Sequence, residues 1–553
     1  MYLSTRFPDR RPSARIRRPA AALCGLLLAG AGLSACDAGT AGSGTAGGQG
    51  GLTFATDTEP SCIDPAVSPL DVTALIDRNI FDSLVNASPD GKIHPWLAKS
   101  WTVSKDARTY TFELRKGVTF HDGTPLDAAA VKASLDHVVD PATKSSYAAG
   151  LLSAYREAKT EGLSTVRIVL KRPDATLLQS LSTAYLGIQS PKALKNTATL
   201  CRTPVGTGPF RFVGWKQKQS IELRNNGAYK WGPPTAAHTG PAKLPGLTIR
   251  FIQENAVRVG ALSSGEVDVI GGLPAPNVKA LKRSPRLQVL SSQAPGGTYS
   301  VHLNPARGPL KDKRVRTAFV RSVELDQLVK SVSFGQYERA WSQLGPRTLG
   351  YDEQIEGSWA PDRRLANRLL DEAGWSERDS EGYRVKNGKR LTLHWPFVPQ
   401  LLREQRDVLG QGIQTEAKKV GIQVRREAKD TGTYSKEIFA GDADLWDSSN
   451  VRADPDVLRT LYASDQTLTQ GGMNVFKISD PEIDTLLRHG AATADPAARA
   501  DDYVKVQRRL RDEALVLPVY VPTYLIGASK DVQGLSFEAA SYPLFYDVSL
   551  GDS

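Results

Sequence analysis

The sequence predicts an α/β fold for residues 52–553, and two observations lead to this prediction. Segments in which apolar and polar residues alternate, as in half-buried strands, are interleaved with segments in which apolar residues recur at helical spacing. The folded part is also about 500 residues long, which is enough for two or more domains.

A strand followed by a helix is predicted in the first third of the chain. In the TYTFEL segment, Tyr110, Phe112 and Leu114 alternate with polar residues, which is typical of an antiparallel strand with one buried face. Residues 126–139 have helical spacing, and Asp127 lies where an acidic residue stabilises the first helical turn.

Helices and strands continue to alternate after Gly297, which indicates a second α/β unit. The predicted helices there are residues 315–332, 363–373 and 402–420, and the predicted strands include residues 298–304 and 390–395. Gly374 is expected to end the second of these helices.

The first 36 residues have the order of an export signal. Arginines precede an apolar segment at residues 20–35, which is shorter than the roughly 20 residues needed to cross a bilayer. Cys36 directly follows Leu-Ser-Ala, which resembles the lipobox of bacterial lipoproteins. In that family the signal is cut before the cysteine, and the cysteine carries lipid. The alternative is an ordinary secretory peptide with an incidental cysteine.

Residues 37–51 are predicted to form a disordered Gly-rich tether. This stretch contains no large apolar residue, so it cannot contribute to a core. A flexible coil over residues 39–51 would have an end-to-end reach of roughly 20 Å. Such a tether would hold a globular body just off a membrane surface.

The charge of the chain does not indicate a nucleic-acid partner. The formal net charge is +11, and the leader carries five of these charges, which leaves about +6 on the rest of the chain. No basic run with interleaved aromatic residues stands out. No segment after the leader is apolar enough to suggest a membrane span.

Two cysteines, Cys62 and Cys201, remain after the leader. An exported protein lives where disulfides persist, so a pair is the economical interpretation, and two buried thiols are the alternative. Their spacing does not fit a zinc site.

Motifs that would indicate catalysis or metal binding are weak. His121-Asp122-Gly123 is better explained as a turn than as an acid–base pair. The Gly206-Thr207-Gly208-Pro209 segment lacks the Lys-Ser/Thr of a phosphate-binding loop and is interpreted as a turn. The seven histidines are scattered without helical metal-ligand spacing, so we predict neither enzymatic activity nor a metal site.

Seven segments, in order along the chain, have a recognisable sequence. The first is PWLAKSWTVSKDARTYTFELRKGVTFHDGTPLDAAAVKASLDHV (95–138). The others are PVGTGPFRFVGW (204–215), GALSSGEVDVIGGLP (260–274), LKDKRVRTAFVRSVELDQLVK (310–330), RLANRLLDEAGW (364–375), GIQTEAKKVGIQV (412–424) and ALVLPVYVPTYL (514–525). Together they resemble the family 5 extracellular solute-binding proteins of ABC importers, which include dipeptide, oligopeptide and nickel binders, and the first is similar to the signature region of that family. The resemblance therefore covers nearly all of the chain after the tether.

The resemblance implies a two-lobed periplasmic-binding-protein-like α/β fold with an extra subdomain inserted in the first lobe. On this sequence the implied parts are a signal peptide (1–36), a tether (37–51), a first lobe (52–88, 206–296 and 526–553), an inserted subdomain (89–205) and a second lobe (297–525). On this layout Cys62 and Cys201 lie within or beside the first lobe, which favours a disulfide between them.

Aromatic side chains are expected in the cleft between the lobes, because they offer large contact area without strong selectivity. Tyr185 lies in the inserted subdomain and Tyr299 begins the second lobe. Trp446 and Tyr524 fall near the expected cleft. For each of them, packing in a core or on the surface is the alternative to ligand contact.

Peptide binders of this family anchor the ligand amine with an acidic residue in a Trp-x-Ala-Asp-Tyr-x-x-Pro pattern. The corresponding stretch here is DADLWDSSNVRADPDVLRTLY (442–462), which departs from that pattern. If Asp454-Pro455 matches the terminal acidic-Pro pair, the anchoring position falls at Val451 and the anchor is missing. If Asp454 is itself the anchor, the tyrosine has become Pro455.

The resemblance implies a function in uptake. The protein would capture a peptide or peptide-like solute between two closing lobes and deliver it to a membrane permease. It would act as a monomer, without a cofactor, nucleic acid or enzymatic activity. Lipid on Cys36 would hold it on the outer face of the cytoplasmic membrane, in the periplasmic space where an outer membrane is present. A nickel chelate, an oligosaccharide or another non-peptide solute, and a ligand-presenting sensor role, are the alternatives.

Overall fold

The computed structural model describes residues 51–551 except Ser146 and Gly471. The predicted signal peptide, Cys36 and nearly all of the predicted tether therefore lie outside the described residues.

The first sheet has seven strands, drawn from three separate stretches of the chain. The strand Leu52–Thr56 pairs in parallel with Gly246–Phe251 and Val269–Ile270, and the other pairs are antiparallel. In spatial order the strands are Leu287–Gln293, Thr523–Ser529, Val269–Ile270, Leu52–Thr56, Gly246–Phe251, Ser220–Asn225 and Phe210–Lys216. The lobe bounds given above stay a prediction.

A separate four-stranded antiparallel sheet lies between the first and second of these stretches in the chain. Its strands, in spatial order, are Ala98–Val103, Thr109–Leu114, Thr165–Leu170 and Tyr155–Glu161. The predicted alternation is confirmed, because Tyr110, Phe112 and Leu114 are buried and their neighbours along the strand are not. The predicted helix is confirmed as Ala128–Val139, and the Asp127 carboxylate accepts a hydrogen bond from the Ala130 amide at its start.

The second sheet is formed by strands from residue 296 onward. Gly296–Leu303 lies between Leu445–Val451 and Val516–Tyr520, and all pairs are antiparallel. A parallel pair, Thr392–Phe397 with Gln423–Ala428, continues this layer, since the Asp444 amide donates to the His394 carbonyl at 3.0 Å.

Helices pack on these sheets. The remaining α-helices of the described residues are Asp71–Ile80, Ala148–Leu151, Leu177–Leu181, Thr197–Leu200, Asn255–Ser264, Ala275–Arg283, Lys313–Ser322, Leu325–Val332, Arg363–Glu372, Arg406–Lys418, Thr431–Ala440, Val457–Tyr462, Pro481–Ala492 and Pro496–Asp512. None of the helices in the described part of the chain has the length and apolar character that a membrane crossing requires.

Two predicted helices differ from the observed ones for local reasons. The predicted helix 315–332 is broken at Val323, which takes an extended conformation (φ −95°, ψ 122°) and is completely buried. The predicted helix 402–420 begins only at Arg406, because Glu404 and Gln405 adopt positive φ values of 55° and 60°. The third, Arg363–Glu372, ends as predicted before Gly374, whose φ is +81°.

A disulfide joins Cys62 to Cys201, which are 139 residues apart in sequence. It ties the segment after the strand Leu52–Thr56 to the end of residues 89–205, which carry the four-stranded sheet and are called the inserted stretch below. The Ile63 amide donates to the Cys201 carbonyl at 3.0 Å beside it. Two distant segments of the chain are therefore fixed to each other at this point.

The chain passes between the first and second sheets at 293–296 and 520–523. The two passages contact each other, since the Ala294 amide donates to the Pro522 carbonyl at 2.8 Å. Pro295 and Gly296 lie in the first passage, and Gly296 has a φ of +91° that disfavours any other residue. These paired passages connect the first sheet to the second.

Candidate functional site

A large cleft lies where the first sheet, the inserted stretch and the second sheet meet. Its main chamber has an empty volume of about 2110 Å³, part of it open to solvent. A second chamber of about 1660 Å³ shares Asp71, Arg403 and Tyr524 with the first. A third, of about 730 Å³, shares Tyr147 and Tyr185 with the main chamber. The three chambers are therefore branches of one cleft.

Two of the predicted ligand-binding tyrosines line this cleft. Tyr185 borders the main and third chambers, and its hydroxyl donates to the Pro69 carbonyl at 3.3 Å. Tyr524 borders the main and second chambers, and its hydroxyl donates to the Asp71 carboxylate at 3.4 Å. Burial raises the pKa of both hydroxyls well above the usual value, so both remain neutral donors.

Tyr299 and Trp446 lie in core packing and line none of the three chambers. Tyr299 is 1% exposed, its hydroxyl donates to Asp447 at 3.0 Å, and its ring packs against Tyr520. The Trp446 ring lies 4.8 Å from the ring of the buried His302. Their places in the second sheet direct both side chains into the interior, away from the three chambers.

Asp454 borders the third chamber, but its carboxylate is already paired. Arg499 donates to both of its oxygens, at 2.5 and 2.8 Å, and the Asp456 amide donates to one of them at 2.8 Å. Val451, the alternative position for an amine anchor, is apolar and also borders this chamber. Neither alignment considered from the sequence therefore provides a free acidic anchor.

Sequence reasoning missed the loop Arg403–Arg406, which borders the main chamber. The Arg406 guanidinium donates to the Tyr520 hydroxyl at 3.0 Å and to Ser449 at 2.8 Å, and pairs with Glu404 at 2.8 Å. The sequence contained a signal for this loop, because arginine at the start of a helix is unfavourable next to the positive end of the helix dipole. In the structure, Arg403 and Arg406 line the cleft.

The two sides of the cleft already contact each other. Arg403 lies 3.8 Å from the Asp71 carboxylate, and the Arg452 Nε donates to the Tyr147 hydroxyl at 3.1 Å. Farther out, the Ala175 amide donates to the Ala491 carbonyl at 2.8 Å. The structure is therefore that of a closed cleft, able to surround a small molecule.

The motifs that could have suggested catalysis are structural. Asp122 accepts hydrogen bonds from the Thr124 amide and hydroxyl, and Gly123 has a φ of +84°, as in a tight turn. A Cβ atom at Gly206 would lie 2.1 Å from the Ile80 carbonyl oxygen, so glycine permits a close backbone approach there. Within residues 51–551, apart from the two omitted positions, no cluster of His, Cys, Asp and Glu is placed to hold a metal ion.

Comparison with known proteins gives relatives of similar length. The chain is 28% identical over 489 residues to the glutathione-binding protein GsiB of Shigella dysenteriae, covering 85% of this chain and 89% of that protein. It is 28% identical over 531 residues to di/tripeptide-binding protein 1 of Pseudomonas aeruginosa, covering 90% and 94%. The crystal structure of NikA from Brucella suis in complex with Fe(III)-EDTA superposes with a TM-score of 0.81 at 27% identity, covering 90% and 99%.

The family itself is identified by a match over most of the folded chain. The model for bacterial extracellular solute-binding proteins, family 5 Middle, matches residues 92–471. This range includes Tyr147, Arg403 and Arg452, which line the main chamber of the cleft. The two-lobed fold predicted from the sequence is confirmed by the superposition. The chain belongs to the bacterial extracellular solute-binding proteins, family 5.

Proposed function

We propose that this protein is the solute-capturing component of an ABC importer and that it takes a peptide or peptide-like solute. The observation that supports this most directly is the closed, branched cleft, whose walls come from both sheets and from the inserted stretch. Relatives of similar length bind glutathione or di- and tripeptides, which indicates a solute of that size. The protein has no catalytic role; a separate permease and ATPase move the solute.

Capture is coupled to closure in this proposal. Tyr185 and Tyr147 face the solute from the inserted stretch, and Arg452 and Arg406 face it from the second-sheet side. A solute that contacts both sides at once favours the closed state, because its binding energy is larger there. The passages at 293–296 and 520–523 take up the motion.

The first test measures what the protein binds and whether it closes. Mass spectrometry of the solute released on denaturing the purified protein should give a peptide or a peptide-like acid. Addition of the released solute at a hundred times its Kd should raise the free energy of unfolding by about 2.7 kcal/mol. The radius of gyration from small-angle scattering should fall at the same time.

A matched pair of variants locates the binding in the cleft. Tyr524→Ala should weaken binding, because the ring lines two chambers. Tyr383→Ala should not, since that ring lies against Arg390 and Lys418 outside the cleft. An absence of closure with peptide, sugar and nickel-chelate pools would contradict the proposed function.

We also propose that lipid on Cys36 anchors the protein to the outer face of the cytoplasmic membrane. The support is the Leu-Ser-Ala-Cys sequence and the Gly-rich tether. Anchoring beside the permease raises the effective concentration of the receptor there. Cys36→Ala should move the protein from the membrane fraction to the medium or periplasm, with solute affinity unchanged. A variant that stays with the membrane would refute the anchor.

A further inference from the structure

Arg452 is a charged side chain in the wall of the cleft whose hydrogen-bond partners are all neutral. It follows the strand Leu445–Val451 and borders both the main and the third chamber. Its Nε donates to the Tyr147 hydroxyl and its Nη1 to the Thr460 hydroxyl, each at 3.1 Å. Its Nη2 donates to none of the described residues.

The other charged side chains that line these two chambers all have partners of opposite charge. The pairs are Arg78 with Glu538 at 2.8 Å, Asp71 with Arg403 at 3.8 Å, Glu404 with Arg406 at 2.8 Å, Asp454 with Arg499 at 2.5 Å and Asp456 with Arg459 at 2.8 Å. By contrast, no carboxylate in the described part of the chain lies within 4.0 Å of an Arg452 nitrogen. The charge of Asp456 also acts on Arg452, but that carboxylate is paired with Arg459. Among the described residues, the walls of the two chambers thus hold one positive charge without a direct counterion and no free negative charge.

A guanidinium in a partly desolvated wall favours an anionic partner. Removing a charge from water is costly unless an opposite charge compensates for it. Arginine presents a planar set of donors that fits a carboxylate, and it remains charged at any physiological pH. A carboxylate on a bound solute would supply such a group to Arg452.

We propose that Arg452 binds a carboxylate of the captured solute, and that a free amine on the solute makes no ion pair with the protein. This inference rests on the proposed function and specifies its solute class as acidic peptides or peptide-like acids. The carboxylate can belong to a side chain or to the C-terminus of the solute. Both sources present the same chemistry to Arg452.

A set of tripeptides tests the inference on the unmodified protein by calorimetry. N-acetyl-Ala-Gln-Ala-amide is the neutral reference. N-acetyl-Ala-Glu-Ala-amide adds a side-chain carboxylate, N-acetyl-Ala-Gln-Ala adds a C-terminal one, and Ala-Gln-Ala-amide adds a free amine. At least one acidic peptide should bind about 10- to 100-fold more tightly than the reference, as a charge-assisted hydrogen bond would give. The free-amine peptide should bind less than threefold more tightly than the neutral reference.

Variants separate a ligand contact from a purely structural role. Arg452→Gln should weaken binding of the acidic peptide about 10- to 100-fold more than it weakens binding of the neutral reference. Arg452→Lys should recover part of the preference. Arg363→Gln, which removes an exposed arginine paired with Glu416 outside the cleft, should keep it in full. If Arg452 only held Tyr147 in place, acidic and neutral peptides would weaken by the same factor, which would overturn the inference.

The inference and the proposed function fail in different ways. Equal binding of acidic and neutral peptides, or tightest binding of the free-amine peptide, would overturn the role of Arg452 while solute capture stands. Failure of these peptides and of glutathione to bind, with no closure in scattering, would overturn both.

Discussion

Replacing Arg499 by methionine should lower the free energy of unfolding by about 3–5 kcal/mol. Arg499 donates to both oxygens of Asp454, and the two side chains are only 9% and 12% exposed. Methionine keeps much of the volume but leaves a mostly buried carboxylate without its counterion. Urea unfolding followed by tryptophan fluorescence at pH 7 measures the change.

The double variant Arg499→Met/Asp454→Leu is the control for lost packing. It removes both charges, and replacing a buried ion pair by apolar residues is often nearly neutral. Most of the lost stability should therefore return. If the double variant were as unstable as Arg499→Met, packing and not the unpaired charge would be the cause.

The same variant tests the solute specificity from the opposite direction. Arg499→Met releases the Asp454 carboxylate into the wall of the third chamber. A free-amine peptide should then bind more tightly relative to its N-acetylated form than it does to the unmodified protein. Asp454→Asn in the unmodified background should leave that ratio unchanged, because its carboxylate is not available there.

Local features of the fold could be predicted from the sequence because neighbouring residues determine them. The alternation at Tyr110, Phe112 and Leu114 fixes which face of a strand is buried. Asp127 and Gly374 mark helix ends through their own backbone and side-chain chemistry. The sequence resemblance added the family and its two-lobed fold.

The state of each candidate ligand residue could not be predicted, because it depends on distant partners. Asp454 is paired with Arg499, which lies 45 residues away in sequence. The Tyr299 ring packs against Tyr520, and the Tyr299 hydroxyl donates a hydrogen bond to Asp447. Both partners lie on neighbouring strands that are distant in sequence. The proposal for Arg452 depends on the lack of a carboxylate beside it. This can be recognised only when the positions of all neighbouring charged side chains are known.

The contribution of Asp82, a fully buried carboxyl group, to the free energy of unfolding should fall as pH rises from 3 to 7. Burial raises the pKa of Asp82 from 3.8 to about 6, although Thr207, Trp231 and Tyr229 donate hydrogen bonds to the carboxylate and oppose the rise. Because the folded protein keeps this proton to higher pH than the unfolded chain, ionisation favours unfolding. The contribution is about 3 kcal/mol, at 1.36 kcal/mol per pKa unit.

Asp82→Asn isolates this contribution, because asparagine does not titrate while the other ionisable groups are retained. The free energy of unfolding of the unmodified protein minus that of the variant should fall by about 3 kcal/mol between pH 3 and pH 7, with most of the change between pH 4 and pH 6. A pH-independent difference for Asp82→Asn would mean that the folded protein does not hold the Asp82 proton, and that its three hydrogen-bond donors outweigh the cost of burial.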